Sequence, residues 1–435
     1  MVRSARSEIE AARGLTFKEN VHAVSVSRRN FDSLMRALSG VYANSYANDP
    51  DWALGERTMV VLGMADSMGQ WSAAQSAFDE GSIQGFYLPR DKTLYVFDDG
   101  SLEDRTRTVV HELVHALQDQ NHGLEAAAAR SREADEDMAF TFFVEGEAEY
   151  VGMSISVADT DASSMAIRVN AERSSIDVLA AGLEQWALSS RLPVAMVLPQ
   201  MIPYYLGPYL VSTRRARSGW SGVDSLYTNR LRTTRAAIQP FLVDSVQDWN
   251  PGACPAVGGR LRPLQTGRLG ALYLGSIVYG SLDPSQNLQA LVDEWRGDRF
   301  WTFHGDSGSA LLWRSSWKDD GAAKAFARSW WSRRSERRTS WGTTRFLTVD
   351  DSFKTASTAD SSRCALVRVR GNDVVIAEGF SSAEARQLAD ALFALPRRTV
   401  FAARAQGATS FGHGEWSPPR SPIPFPTPRI PGLPR

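Results

Sequence analysis

The chain has 435 residues, 43% hydrophobic and 22% charged, an ordinary globular composition with enough apolar material for one large domain or two packed lobes. Its formal net charge of −1 excludes a whole-chain field that would draw it to nucleic acid or an anionic membrane. The two cysteines, Cys254 and Cys364, lack metal-ligand spacing and are either free thiols or one long-range disulfide.

In chain order, Met1 to Glu10 carries charges without an apolar stretch, so no secretory signal is visible, and 1–14 reads as an N-terminal tail. Either the protein is cytoplasmic or the segment that exported it is absent from this chain. Residues 21–26 alternate, 31–41 show helical spacing and 59–64 form an apolar run. Gly85 to Leu88 and Thr93 to Phe97 are β-rich runs around Pro89 to Lys92, a hairpin pattern. Helices are predicted from about Thr106 to Gln120 and Glu133 to Val157, and helical pattern dominates to about Tyr227. The uncharged run Leu192 to Thr213 has the length of a membrane span, but Pro193, Pro199, Pro203 and Pro208 favour a buried, broken helix. Further helices are predicted at 269–280 and 288–295. Strand runs at 365–370 and 374–377 flank Gly371-Asn372-Asp373, and helical spacing follows over 381–395, so 351–398 reads as a small ββα appendage. Residues 399–435 form a proline-rich tail.

The chemistry concentrates in His111-Glu112-Leu113-Val114-His115. On a helix this spacing puts two imidazoles one turn apart on one face, with a carboxylate beside them to take a proton from water. Val110, Leu113, Val114 and Leu117 fall on one side of that helix, and His111, Glu112, His115 and Asp119 on the other. A catalytic zinc wants a third protein ligand. The second helix is apolar around most of its circumference yet carries Glu145, Glu147 and Glu149, which need cationic or metal partners if buried. Glu145 and Glu149 share a stripe while Glu147 points nearly the other way, so one face can supply both a ligand and an acceptor for a ligand's second N–H.

His111 to His115 followed by Val144-Glu145-Gly146-Glu147-Ala148-Glu149-Tyr150 resembles the gluzincin zinc metallopeptidases, in which a glutamate on a following helix completes the site. Zinc aminopeptidases of that clan carry a comparable Glu-Gly-x-Ala element whose first glutamate binds metal, which implies Glu145 as third ligand. The 30-position step from His115 to Glu145 is longer than in those enzymes and leaves Glu147 or Glu149 open. The likeness extends to a group of largely uncharacterised, often secreted or envelope-associated prokaryotic proteins through Gly85-Phe86-Tyr87, His115 to Gln120 and Val144 to Ala148, and more thinly through Pro203 to Gly207, Ser218 to Trp220 and Trp295 to Arg299. Where a His-Pro pair is expected after Trp220, this chain has Gln239-Pro240.

The resemblance implies an α+β, zincin-like domain over 15–350, with lobes of about 15–157 and 158–350: a small sheet, the metal helix beneath it and a mostly helical second lobe. It implies one zinc per chain, hydrolysis of a peptide or protein substrate with Glu112 as general base, and a place outside the cytoplasm, with a Cys254–Cys364 disulfide as corollary. Asp119, favoured, and Glu149 are candidate acceptors for the second ring N–H of a ligand histidine. Tyr204 or Tyr205 is a candidate donor to the tetrahedral intermediate, against a reading as core aromatics. The strand 85–88 is placed to align a peptide as an added strand. An inactive zinc-binding protein on the same fold is the main alternative. A serine-peptidase reading of Gly305-Asp306-Ser307-Gly308-Ser309 lacks the final glycine and the upstream histidine setting of chymotrypsin-like enzymes. The Arg- and Trp-containing stretch 328–345 reads as a solvated or intramolecular helix face, so no nucleic-acid partner is expected.

Overall fold

The computed structural model describes residues 2–31, 33–34, 50–131, 133–158, 161–172, 174–258, 260–306, 308–335, 343, 345–350, 352–401 and 426–428. The helical pattern over 35–41, Ser307 and the tail beyond 401, apart from 426–428, lie outside the described residues.

The N-terminal segment expected as a tail is a helix, α1 (Val2–Arg13). Its apolar stripe buries Ile9 and Ala12 in one cluster with Leu113, Val114 and Leu117, the apolar side of the histidine-bearing helix. Strand β1 (His22–Val26) follows, then α2 (Pro50–Leu62), α3 (Gln70–Ser82) and the hairpin β2 (Ile83–Leu88) and β3 (Thr93–Phe97). β1 runs parallel to β3, β3 is antiparallel to β2, and the far edge of β2 pairs with the chain's own β13 (Pro426–Pro428). The edge expected to receive a peptide is thus next to a segment of this chain.

Helix α4 (Leu102–His122) carries the two histidines. It starts at Ser101, whose hydroxyl accepts from the Asp104 N–H while Asp104 accepts from Ser101 N–H, and it stops at Gly123, whose φ of 66° suits a residue without Cβ. The short α5 (Leu124–Ala128) leads to α6 (Ala134–Ser156), which carries the three glutamates. Helices α7 (Ala162–Glu172) and α8 (Ile176–Ser189) precede the long α9 (Val194–Thr228).

Helix α9 corrects an expectation. It runs through Pro199, Pro203 and Pro208, and its non-helical backbone is at Ser218 and Gly219. Packing against α6 holds it: a Cβ on Gly146 would lie 2.3 Å from the Gly207 carbonyl carbon, so the two backbones touch where both residues are glycine. Among the described residues, no helix is long and apolar enough to cross a membrane.

After α10 (Thr234–Ile238) the structure turns to strands: β4 (Ser245–Asp248), β5 (Leu261–Gly267), then α11 (Gly270–Val278), α12 (Leu288–Glu294), β6 (Trp295–Gly305) and β7 (Gly308–Trp317). Next come α13 (Asp320–Arg333), β8 (Arg345–Asp350), β9 (Phe353–Ser357), β10 (Cys364–Arg370), β11 (Asp373–Phe380), α14 (Ser382–Ala394) and β12 (Arg398–Phe401). One seven-stranded sheet has the order β5-β6-β7-β11-β10-β9-β8. The ββα unit is therefore no appendage, because β11 pairs antiparallel with β7, Ile376 opposite Trp313, and a boundary at 350/351 would cut the sheet. The second lobe is mostly helical as far as α10, and beyond it α11, α12 and α13 lie among strands. Both faces of the sheet are covered: Leu311, Trp313, Val374 and Ile376 join the main core, while Leu312, Val375 and Ala377 pack with Leu388 and Leu392 of α14. The protein is α+β.

Cys254 and Cys364 are separate thiols, not a disulfide. Cys364 Sγ lies 3.1 Å from Thr355 Oγ1. Burial raises both thiol pKa values, that of Cys254 to about 12. The arginine stretch is intramolecular where described: Arg328 pairs with Asp283, and Arg334 with Glu378 at 3.1 Å.

Candidate metal centre

Three donor atoms converge where α4 crosses α6. His111 Nε2 and His115 Nε2 are 3.0 Å apart, and Glu145 Oε2 lies 3.1 Å from the first and 3.4 Å from the second. All three residues are buried. The helical step of four sets the two rings on one face, and the Gly146–Gly207 contact brings α9 in behind Glu145. Gly85 does the same on the other side: a Cβ there would meet Thr108 Cγ2 at 2.6 Å, so its absence lets β2 lie close on α4.

These distances fit a metal. Ligands at about 2.0–2.2 Å from a tetrahedral zinc stand about 3.4 Å from one another. The Glu145 Oε1 atom is buried with no aligned hydrogen bond among the described residues, and no Lys or Arg pairs with this carboxylate there. Two imidazoles and a carboxylate that meets no Lys or Arg among the described residues suit a metal such as zinc. Burial pushes the Glu145 carboxyl up, but His115 and His111 outweigh it and hold it below its ordinary range. Burial likewise disfavours a charged His111, and Glu145 and Glu149 outweigh that, raising its pKa to about 10.

The three glutamates of α6 separate cleanly. Glu147 faces away and accepts from Arg13, from Tyr227 Oη at 2.5 Å and from Gln118 Nε2 at 3.0 Å. Glu149 Oε1 stands 3.1 Å from His111 Nδ1, within ion-pair reach though not aligned as a hydrogen bond, and its other oxygen is 3.6 Å from Arg107. Glu112 is fully buried and Oε2 accepts from the Tyr87 N–H at 2.6 Å, which ties it to β2.

Asp119 does not orient a histidine. Its carboxylate accepts from Tyr87 Oη at 3.1 Å and from Leu124 N at 3.0 Å, because the helix rotates it toward β2 and the α4–α5 turn. The atom at His115 Nδ1 is instead Gln118 Oε1, at 2.8 Å. The position three residues on was the available signal, since i and i+3 share a face.

Of the two tyrosines, Tyr204 comes to the site, its ring 6.0 Å from that of His111, whereas Tyr205 packs on the main core. Burial, with Glu145, Glu112 and Glu149 nearby, raises the Tyr204 hydroxyl pKa well above its ordinary value, so the phenol stays a donor. Near the glycine-serine turn, His304 lies 3.1 Å from Ser309 Oγ and 3.0 Å from Arg57 Nη1.

A family model described as a domain of unknown function (DUF8575) matches residues 261–389, which contain all seven strands of the larger sheet and exclude α4 and α6. No curated protein and no solved structure matches the chain.

Proposed function

We propose that the protein is a zinc-dependent peptidase of gluzincin type. The observation that carries this is the buried convergence of His111 Nε2, His115 Nε2 and Glu145 Oε2, with Glu112 on the same helix. The sequence likeness of 111–115 and 144–150 to gluzincins supports the same reading. His111, His115 and Glu145 would hold the zinc, which when bound would supply Lewis acidity toward a carbonyl and toward a water.

The chain's own groups do the rest. Glu112, oriented by the Tyr87 N–H, takes the proton of the attacking water. As oxygen adds to the carbonyl carbon and the C–N bond breaks, that proton passes to the leaving amine, giving a carboxylic acid and an amine. Tyr204, kept protonated, donates to the oxyanion. Asp119 positions Tyr87 and the end of α4 rather than a ligand.

The test is release of new amino groups from an unfolded protein mixture by zinc-loaded enzyme. Wild type should cleave and Glu112→Gln should lose about 10²–10⁴-fold with its zinc retained. Zinc bound by wild type without any cleavage would leave only a binding protein.

A further inference from the structure

We propose that Gln118 is a positioning residue of this centre, fixing His115 with its proton on Nδ1 and the lone pair of Nε2 directed at His111 and Glu145. The purpose of this rests on the metal reading above, but the geometry does not.

A glutamine amide can sit either way round, and its surroundings must choose. Here the choice is forced. One end of Gln118 faces two acceptors, the Val144 carbonyl and Glu147 Oε2, each at 3.0 Å. A carbonyl cannot donate. Glu147 cannot either, because Arg13 and Tyr227 both donate to it and it is fully buried as an anion. The nitrogen of Gln118 therefore occupies that end, and Oε1 is the atom 2.8 Å from His115 Nδ1. An acceptor at that distance requires a hydrogen on Nδ1, and a neutral ring then has its lone pair on Nε2.

The chain of constraint starts outside the two site helices. Arg13, on α1, donates to Glu147 and to Asp224 of α9, and its guanidinium lies 4.2 Å over Trp220. Arg13, Glu147, Gln118 and His115 are all buried, so water offers no competing partner. In this arrangement α1 is part of the centre's scaffold, and Glu147, two residues from the ligand, orients His115 from the other side of α6.

The chain has six histidines, so imidazole ¹⁵N resonances of metal-stripped protein are assignable by single His variants. In wild type at a pH where His115 is neutral, Nδ1 should read as the protonated nitrogen and Nε2 as the bare one. Gln118→Met, of similar length without an acceptor, should lose this tautomer, and zinc affinity by chelator competition should fall about 10–100-fold. Should Gln118→Met not fold, Glu147→Gln frees the amide to turn and should populate both tautomers. A Gln118→Met or Glu147→Gln protein with Nδ1 still protonated and wild-type zinc affinity overturns the proposal and leaves the metal reading intact. Wild type that shows the Nδ1–H form but takes up no zinc defeats the metal reading alone.

Discussion

The start and the middle of α6 bury carboxylates differently. Where the start of α6 meets the seven-stranded sheet, Glu133 and Asp248 face Arg299 at 2.6 and 2.9 Å, and Asp135 and Glu136 each lie 3.4 Å from Arg268. Each acid there has a guanidinium, and the burial cost is offset within the chain. Along the same helix Glu145 meets two imidazoles and no guanidinium among the described residues. Glu147, two positions on, is paired with Arg13. The contrast separates acids paired with guanidinium groups from the one whose partners are two imidazoles.

The largest effect that sharpens the contrast is expected at Arg13. Arg13→Met strands Glu147 as an unpaired buried charge and should cost about 3–5 kcal/mol in chemical unfolding. A cost below about 1 kcal/mol would put Glu147 in the same class as Glu145. Gly146→Ala should come next, at about 1–3 kcal/mol, because the added methyl meets the Gly207 backbone; zinc retention should drop with it as Glu145 shifts. Glu145→Gln should remove zinc binding and cost metal-stripped protein less than Arg13→Met does, because it neutralises the acid instead of stranding a buried charge. Asp119→Asn should be smallest, about 1 kcal/mol at most from one weakened hydrogen bond, with zinc content unchanged. Zinc loss in Asp119→Asn would return Asp119 to the ligand histidines.

The helices that carry the site were legible from helical spacing and the four-residue step between histidines, but α4 starts at Leu102 rather than about Thr106 because the Ser101–Asp104 capping box, which was not read, begins it. The Glu145/Glu147 divergence was legible from helical geometry, and the structure places Glu147 on the far face. Strands β6 and β7 were not legible, because both faces of the sheet are buried and no period of two survives in Phe300 to Phe303 or Leu311 to Trp313. The joining of 373–378 to 311–316 is long-range pairing that no local pattern encodes. Helix α1 was missed because its buried arginine and exposed polar residues resemble a solvated tail until Glu147 and Asp224 are known to face it. Gln118 was missed because its role depends on Val144 and Glu147, neither of them on its own helix.

The central claim is tested most directly by the metal content of purified protein after zinc loading, for wild type, His115→Ala, Glu145→Ala and Glu112→Gln. The account predicts about one zinc per chain in wild type and Glu112→Gln, and loss in both ligand variants. Wild type without zinc, or zinc undiminished by Glu145→Ala, would contradict it.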